Sequence, residues 1–344
     1  MLKPRIHFLP NPAPSEVADT IEAFLHQLTG PTLISKPGKD PTRTRAIATL
    51  LHGNEPSGLR AVHQWLQSGE QPAVNIICFI GSVQAALHEE LFKHRMVPGQ
   101  RDLNRCFRAA FGDYPGKIAE HFLQILDQQK PECLIDIHNT SGSGPAFGVV
   151  TYDDSAHRAL VALFTRRMVI TDHRLKSLME ISDANMPVVT IECGGAQDPA
   201  AHQLAEDGLQ RYLFDTDVLQ FIERDDTMDV YLHPIRLELA ENTIIAFAEQ
   251  PVAGAHLTIP SDVEKFNFGV VESDTLLAWL GEEGEDILQV NSAAGDNVLS
   301  HYFTVREGGL YPLRPLKLFM VTSNPTIAIS DCLLYAASVR PIGG

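Results

Sequence analysis

The sequence predicts an α/β fold, a mostly parallel mixed sheet with helices on both faces, plus a smaller β-rich C-terminal domain. Two observations carry that reading. From about residue 15 to 222, continuously apolar runs alternate with segments of helical periodicity. Strands with no polar face belong in sheets covered on both sides. After about residue 225 the texture changes to short strand-like runs separated by Gly, Pro, Asn and Asp. A junction near "ERDD" gives domains of residues 1–225 and 226–344.

Each element follows from its pattern. "EVADTIEAFLHQL" has helical spacing, and "RAIATLL" reads as a buried strand. "SGLRAVHQWLQ" is helical, "AVNIICFIG" a strand and "SVQAALHEELFKH" helical again. "PGKIAEHFLQILDQQ" is a helix opened by Pro115, whose missing N–H costs nothing in a first turn. "ECLIDIH" and "GPAFGVVTY" are strands, "SAHRALVALFTRR" a helix and "PVVTIEC" a strand. "PAAHQLAEDGLQRYLFDTDVLQFI" closes the series as one long helix. Beyond it, "TMDVYLHPIRLEL", "TIIAFA", "HLTIP", "TLLAWLG", "LYPLRPLKLFMVTS" and "CLLYAASVR" are strand-like.

Composition narrows the function class. Acidic residues outnumber basic ones by 43 to 27, a net charge of -16, which argues against a nucleic-acid surface. No apolar run approaches the roughly 18 residues of a membrane span, and "MLKPRIHFLPNPAPSE" lacks a signal-peptide core. Cys78, Cys106, Cys133, Cys193 and Cys332 are odd in number and widely spaced, without a C-x-x-C. They fit buried thiols in a cytoplasmic protein and not a disulfide framework. A homo-oligomer is compatible with the sequence, and no membrane partner is expected.

Four short stretches carry chemistry. In "LLHGNEPSG", His52 and Glu55 are three residues apart, close enough for a turn to bring both to one metal ion. Chance alone yields roughly one or two H-x-x-[DE] pairs in such a chain, so the pair is weak by itself. Gly53 permits an unusual turn, and Pro56 disfavours α geometry at Glu55. In "LIDIHNTSGSG", His138 ends an apolar strand, and Asp136 shares its strand face and could orient the ring. A core histidine satisfied by its aspartate is the competing reading. In "VVTIECGG", Glu192 follows an apolar strand, where a carboxylate is costly to bury unless paired. It could equally be a helix cap or half of a salt bridge. In "RMVPGQRDLNRCF", Arg95, Arg101, Asn104 and Arg105 could serve an anionic substrate or an oxyanion, although such a run is ordinarily a solvated loop. His52, His138 and Glu192 all stand at predicted strand ends, where open α/β sheets gather function. A His, Glu, His set leaves one open position on a tetrahedral zinc, as hydrolysis requires.

In this order, "HGNEPSG", "DLNRCF", "DIHNTSG" and "TIECGG" resemble the motifs of the succinylglutamate desuccinylase/aspartoacylase family, relatives of the zinc carboxypeptidases. The resemblance implies a zinc carboxypeptidase-like catalytic domain with one Zn2+ per chain, held by His52, Glu55 and His138. It further implies Glu192 as general base, Asn104 and Arg105 as the pair that binds the substrate carboxylate, and Asp136 behind His138. The resemblance also implies an oxyanion arginine, for which Arg95 is preferred over Arg101 on the reading that "MVPGQ" carries a short insertion, since the family places it at a closer spacing to "DLNR". Two departures bear on the substrate. "GSV" stands at Gly81 to Val83 where members often have "GNP", and the side-chain-selecting arginine and tyrosines have no clear counterpart around "TDHRLKSLMEIS". Arg174 and Lys176 lie in that stretch without a firm match. The implied activity is hydrolysis of the amide of a small N-acyl amino acid. A carboxypeptidase acting on peptides, or an inactive binding protein on the same scaffold, remain the alternatives. The family's β-rich domain narrows access to the groove, which favours small substrates.

Overall fold

The computed structural model describes residues 5–140, 144–220, 228–291, 296–330 and 332–339, the side chains of Thr326 and Ser330 excepted. The chain divides into two units, Met1–Asn139 with Ala146–Val230, and Thr140–Pro145 with Tyr231–Gly344. The junction expected at residues 223–226 lies outside the described residues, as do residues 141–143 of the Gly/Ser-rich stretch after His138.

In chain order the first elements are β1 (His7–Pro10), α1 (Ile21–Leu28), β2 (Thr32–Lys36), β3 (Asp40–Thr49), α2 (Ser57–Ser68) and β4 (Val74–Ile80). Then come α3 (Val83–Ala86), α4 (Tyr114–Gln129), β5 (Leu134–Thr140), β6 (Phe147–Val150) and α5 (Ser155–Ala162). The series closes with β7 (Arg167–Ile170), β8 (Val188–Gly195), α6 (Pro199–Phe214) and β9 (Asp229–Leu232). The strands form one nine-stranded sheet in the order β1-β2-β4-β3-β5-β8-β6-β7-β9. Pairing is parallel for β1–β2, β4–β3, β3–β5 and β6–β7, and antiparallel for β2–β4 and β6–β8. The sheet is thus mixed and mostly parallel, as the alternation implied.

Helices cover both faces because strand residues alternate sides. Ala46 and Ala48 of β3, Ile77 and Phe79 of β4 and Leu134 of β5 share a core with Phe122, Ile125 and Leu126 of α4. Thr49 and Ile137 point the other way, against α2. A Cβ on Gly58 would lie 2.2 Å from Thr49 Oγ1 and 2.8 Å from Ile137 Cβ, so α2 needs glycine there to sit this close. Helix α6 packs beside α2 on that face.

Within β3 sits a buried cation. Arg45 is fully buried, and its Nε donates to Glu132 Oε1 at 2.7 Å. Its other nitrogens donate to the carbonyls of Tyr212, Asp215 and Thr216 at 2.7–2.9 Å. These carbonyls lie at and just past the end of α6. The guanidinium therefore caps that end, where orphan carbonyls need donors.

Several expected elements end elsewhere. The helix expected over residues 199–222 stops at Phe214, where Asp215 turns to extended backbone (φ -70, ψ 133) and Arg45 takes the last carbonyls. The helix expected over residues 82–94 lasts one turn, Val83–Ala86, since Glu89 (φ 58) and Phe92 (φ 60) adopt left-handed backbone that no helix continues through. The first helix starts at Ile21, because the Thr20 side chain accepts the Ala23 N–H and caps it there. Strands β1, β2 and β7 are too short or too polar for the alternation to reveal.

The second unit is β-rich, as expected. One five-stranded sheet runs Val270–Val271, Leu316–Phe319, Leu334–Ser338, Ile235–Leu239, Leu288–Gln289. The other runs Ile245–Phe247, Leu257–Ile259, Ala278–Leu280, Gly309–Pro312, Phe303–Arg306. Leu237, Leu316, Leu318 and Leu334 of the first sheet share a core with Leu257, Ile259 and Leu310 of the second.

Candidate metal centre

The site lies in the first unit, around the ends of β3, β5 and β8. After β3, Leu50 takes left-handed backbone (φ 52) and the chain turns sharply into His52. Gly53 is required for a different reason from the turn itself, because its φ is not in the left-handed range. A Cβ there would lie 2.6 Å from both the Ala86 N and the His94 O, so glycine allows two backbones to touch. His138 lies within β5, two residues before its end, and Glu192 lies within β8. Neither ends its strand, contrary to the sequence reading. Past His138, the Asn139 side chain binds outward from β5. Its Nδ2 donates to Ser57 Oγ at 2.8 Å and to the Gly194 carbonyl at 2.9 Å. Its Oδ1 accepts the Ser57 N–H at 3.0 Å, tying β5, α2 and β8 together.

His52, Glu55 and His138 converge, each offering a ligand atom within 4.8 Å of the others. His52 Nδ1 lies 2.8 Å from Glu55 Oε1, and His138 Nδ1 lies 2.7 Å from Glu55 Oε2. Both imidazoles thus turn the same nitrogen toward one carboxylate. The opposite nitrogens are held from behind. His138 Nε2 meets Asp136 Oδ2 at 2.8 Å, and His52 Nε2 meets Asp102 Oδ1 at 3.1 Å. A carboxylate behind each imidazole is the arrangement that orients metal-ligating histidines. All three central residues are buried.

Electrostatics favours a cation at this point. Burial opposes every charge in the cluster, yet the two imidazoles hold the Glu55 carboxyl far below the usual carboxylate range. Burial likewise opposes protonation of His138, but Asp136 and Glu55 draw its pKa well up. Burial and Arg95 oppose protonation of His52, and Asp102 with Glu55 overcomes them. Without an ion, the cluster gathers positive charge as protons on imidazole. A divalent ion supplies that charge directly and releases the protons. Two imidazoles and a carboxylate suit zinc and its transition-metal neighbours. The residues present therefore fit a metal ion.

Glu192 faces the same cluster. Among the described residues its buried Oε2 meets no hydrogen-bond partner, an arrangement that costs free energy without a ligand to satisfy it. Burial and the nearby Glu55 carboxylate, against the pull of His138, push its pKa up to about 7. The alternative role as helix cap falls away, since the cap of α6 is Asp198.

The two arginines separate cleanly. Arg95 donates through Nε and Nη2 to Asp102 Oδ2 at 3.0 and 2.9 Å, and its Nη1 stands 3.6 Å from Glu55 Oε1. Arg101 is bound to Asp113 through two contacts of 2.6 Å and belongs to a different, exposed pair. Asn104 and Arg105 occupy a single 3-10 turn, Leu103–Arg105, capped by Asp102. Asn104 Oδ1 accepts the Leu178 N–H at 2.9 Å, which leaves its amide NH2 as the end able to meet an anion. Arg105 Nη1 donates to the Asn104 carbonyl at 3.1 Å. The stretch holding Lys176 lies against this turn, because the Phe107 N–H donates to the Lys176 carbonyl at 3.0 Å.

Sequence reasoning missed Asp102 and Asn139. Asp102 opens "DLNR", but its partner His52 is fifty positions away. Asn139 follows His138 directly, and nothing in its spacing announces a clamp between three elements. One further grouping has the distances of a nucleophile triad. His157 meets Asp154 at 2.9 Å and Ser182 at 2.8 Å. Ser182 is buried and its Oγ also accepts the Val188 N–H at 2.9 Å, so it anchors β8 and has no open face.

A sequence model described as the succinylglutamate desuccinylase/aspartoacylase catalytic domain matches residues 41–213, half of the chain. The chain belongs to this family. It is accordingly a deacylase by family, a hydrolase of amide bonds. No curated protein matches it by sequence. Among solved structures, a succinylglutamate desuccinylase/aspartoacylase from Rhodobacter sphaeroides is 16% identical, with a TM-score of 0.52 over 85% of this chain and 82% of its own. The succinylglutamate desuccinylase from Chromobacterium violaceum is 12% identical, with a TM-score of 0.53 over 88% and 86%. Murine aminoacylase 3 is 15% identical, with a TM-score of 0.52 over 88% and 97%. At such identities these likenesses speak for the deacylase fold alone. Among the described residues, no helix of this deacylase is long and apolar enough to cross a membrane.

Proposed function

We propose that this family member is a zinc-dependent amidohydrolase of small N-acyl amino acids, releasing a carboxylate and a free amine. The observation that carries the proposal is the buried Glu192 carboxylate, with no partner on Oε2 among the described residues, set against three converging side chains that could hold a metal ion.

In this reading His52, Glu55 and His138 hold one Zn2+, and Asp102 and Asp136 fix the two imidazoles. A divalent ion there supplies Lewis acidity and makes a water molecule acidic enough to attack near neutral pH. Glu192 takes the proton of that water and later passes it to the departing amine. Burial raises this carboxyl above the ordinary carboxylate range, which eases its taking up and returning a proton. Arg95, steadied by Asp102, turns Nη1 to the Glu55 side of the cluster and stabilises the oxyanion. The Asn104 amide and the Arg105 guanidinium bind the substrate carboxylate. The buried thiols suit a reducing compartment such as the cytoplasm.

The test is a turnover screen of acetyl, succinyl and formyl amino acids with acidic, basic and neutral side chains, run beside short peptides. Release of free amine from at least one N-acyl amino acid, well above peptide trimming, is the expected result. Strong trimming of peptides with no deacylation would make the chain a carboxypeptidase instead.

A further inference from the structure

We propose that His88, Glu89 and His94 form a second, exposed site for a transition-metal dication, separate from the buried centre. The three side chains each offer a ligand atom within 4.8 Å of the others. His94 Nε2 lies 3.2 Å from Glu89 Oε2, and the rings of His88 and His94 stand edge to face with centroids 4.8 Å apart. None of the three takes part in the deacylation chemistry. The two histidines are half-buried, which holds their rings, while Glu89 is 62% exposed at its side chain and can swing onto an ion.

The chemistry of the donors selects the ligand. Two neutral imidazoles with one carboxylate prefer zinc, cobalt, nickel or copper over magnesium or calcium, which need oxygen ligands. Waters complete the coordination, because the site is open. Lys93, the cation next to the site, is held by Glu90 at 2.8 Å, although its charge also reaches Glu89. Openness and the loss of water from only one side make this site weaker than the buried one.

The loop is built to hold these groups together. Left-handed backbone at Glu89 and Phe92 ends the helix that residues 82–94 would otherwise form and folds His94 back to His88. The same fold presses the His94 carbonyl onto Gly53, and the Gly53 N–H donates to the Arg95 carbonyl at 2.8 Å. The exposed site is therefore one residue from Arg95 and one backbone contact from the residue next to His52. An ion bound there stiffens the loop that delivers Arg95.

The test compares Zn2+ titration of the wild-type chain and the H88A/H94A variant by calorimetry, each as purified. Only the difference between the two chains is read, so the state of the buried centre does not enter. The expected result is one additional equivalent in the wild type, with at least tenfold weaker binding of that equivalent in the variant. Equal stoichiometry and affinity in both chains would overturn the proposal. Diethylpyrocarbonate modification of the wild type, mapped by mass spectrometry, gives a readout without substitution. Zn2+ protects His88 and His94 if they are ligands, and unchanged modification of both contradicts the site.

Discussion

Glu55 Oε2 stands 2.7 Å from His138 Nδ1, although 83 residues separate them. The contact joins the loop after β3 to the strand beside it, and the register of β3 on β5 makes it. Ala48 pairs with Asp136 and Thr49 with Ile137, so the two strands deliver their functional groups to the same edge. Glu55 also meets His52 through its other oxygen, and one carboxylate bridges both imidazoles.

Removing the rear carboxylate of His52 should loosen the metal. Asp102→Asn keeps the shape but gives up the charge that orients His52 Nε2 and grips Arg95. The expected loss in metal affinity is about 10–100-fold, measured by competition with a chromogenic chelator. Asp136→Asn should act alike through His138. Unchanged affinity in both variants would deny the aspartates an orienting role.

The proton-transfer role of Glu192 makes a pH prediction. A general base must be ionised, so kcat/KM falls as pH drops through its pKa. Burial, its largest influence, places that value at about 7 in the metal-free chain. A neighbouring dication favours the carboxylate, so the acid limb of the loaded enzyme falls below that. Glu192→Gln should lose turnover by about 10²–10⁴-fold while binding metal as before. Near wild-type turnover in that variant removes Glu192 from the mechanism.

Gly53→Ala probes close packing. The added methyl meets backbone on two sides, and neither the Ala86 N nor the His94 O can swing away. A loss of about 1–3 kcal/mol in stability is expected from overpacking, read from urea midpoints, together with weaker metal binding. A variant as stable as the parent would show that the loop carrying Arg95 is free to move.

Arg45 tests the frame beneath the site. Truncating it to Ala leaves the Glu132 carboxylate with Arg43 alone among the described residues and strips donors from the end of α6. Breaking a buried ion pair costs about 3–5 kcal/mol, and Glu132 is partly exposed, so the lower end is expected. Chemical denaturation measures it, and a change under about 1 kcal/mol would contradict a structural role.

Much of this site is legible in the sequence because its groups sit on strongly apolar strands. "AIATLL", "CLIDIH" and "VVTIEC" announce buried strands, and the polar residues within and just after them stand out. The carboxylate behind His138 is also visible, since Asp136 is two residues away on the same strand face. Asp102 is not, because its partner comes from another loop and only the tertiary fold joins them. The loop of residues 87–95 misleads for a related reason. Its composition is helical, but Glu89 and Phe92 take left-handed backbone and the loop closes on the Gly53 turn, whose N–H donates to the Arg95 carbonyl, a long-range contact that local propensity cannot express. The end of α6 is set in the same way by Arg45, some 170 residues upstream.

The most direct test of the account is metal-dependent turnover of an N-acyl amino acid by the chelator-stripped chain. Activity absent after stripping, restored by one equivalent of Zn2+, and not restored in His138→Ala is the predicted result. Full activity in the stripped protein, or equal rescue of the His138→Ala variant, would contradict a catalytic metal held by His52, Glu55 and His138.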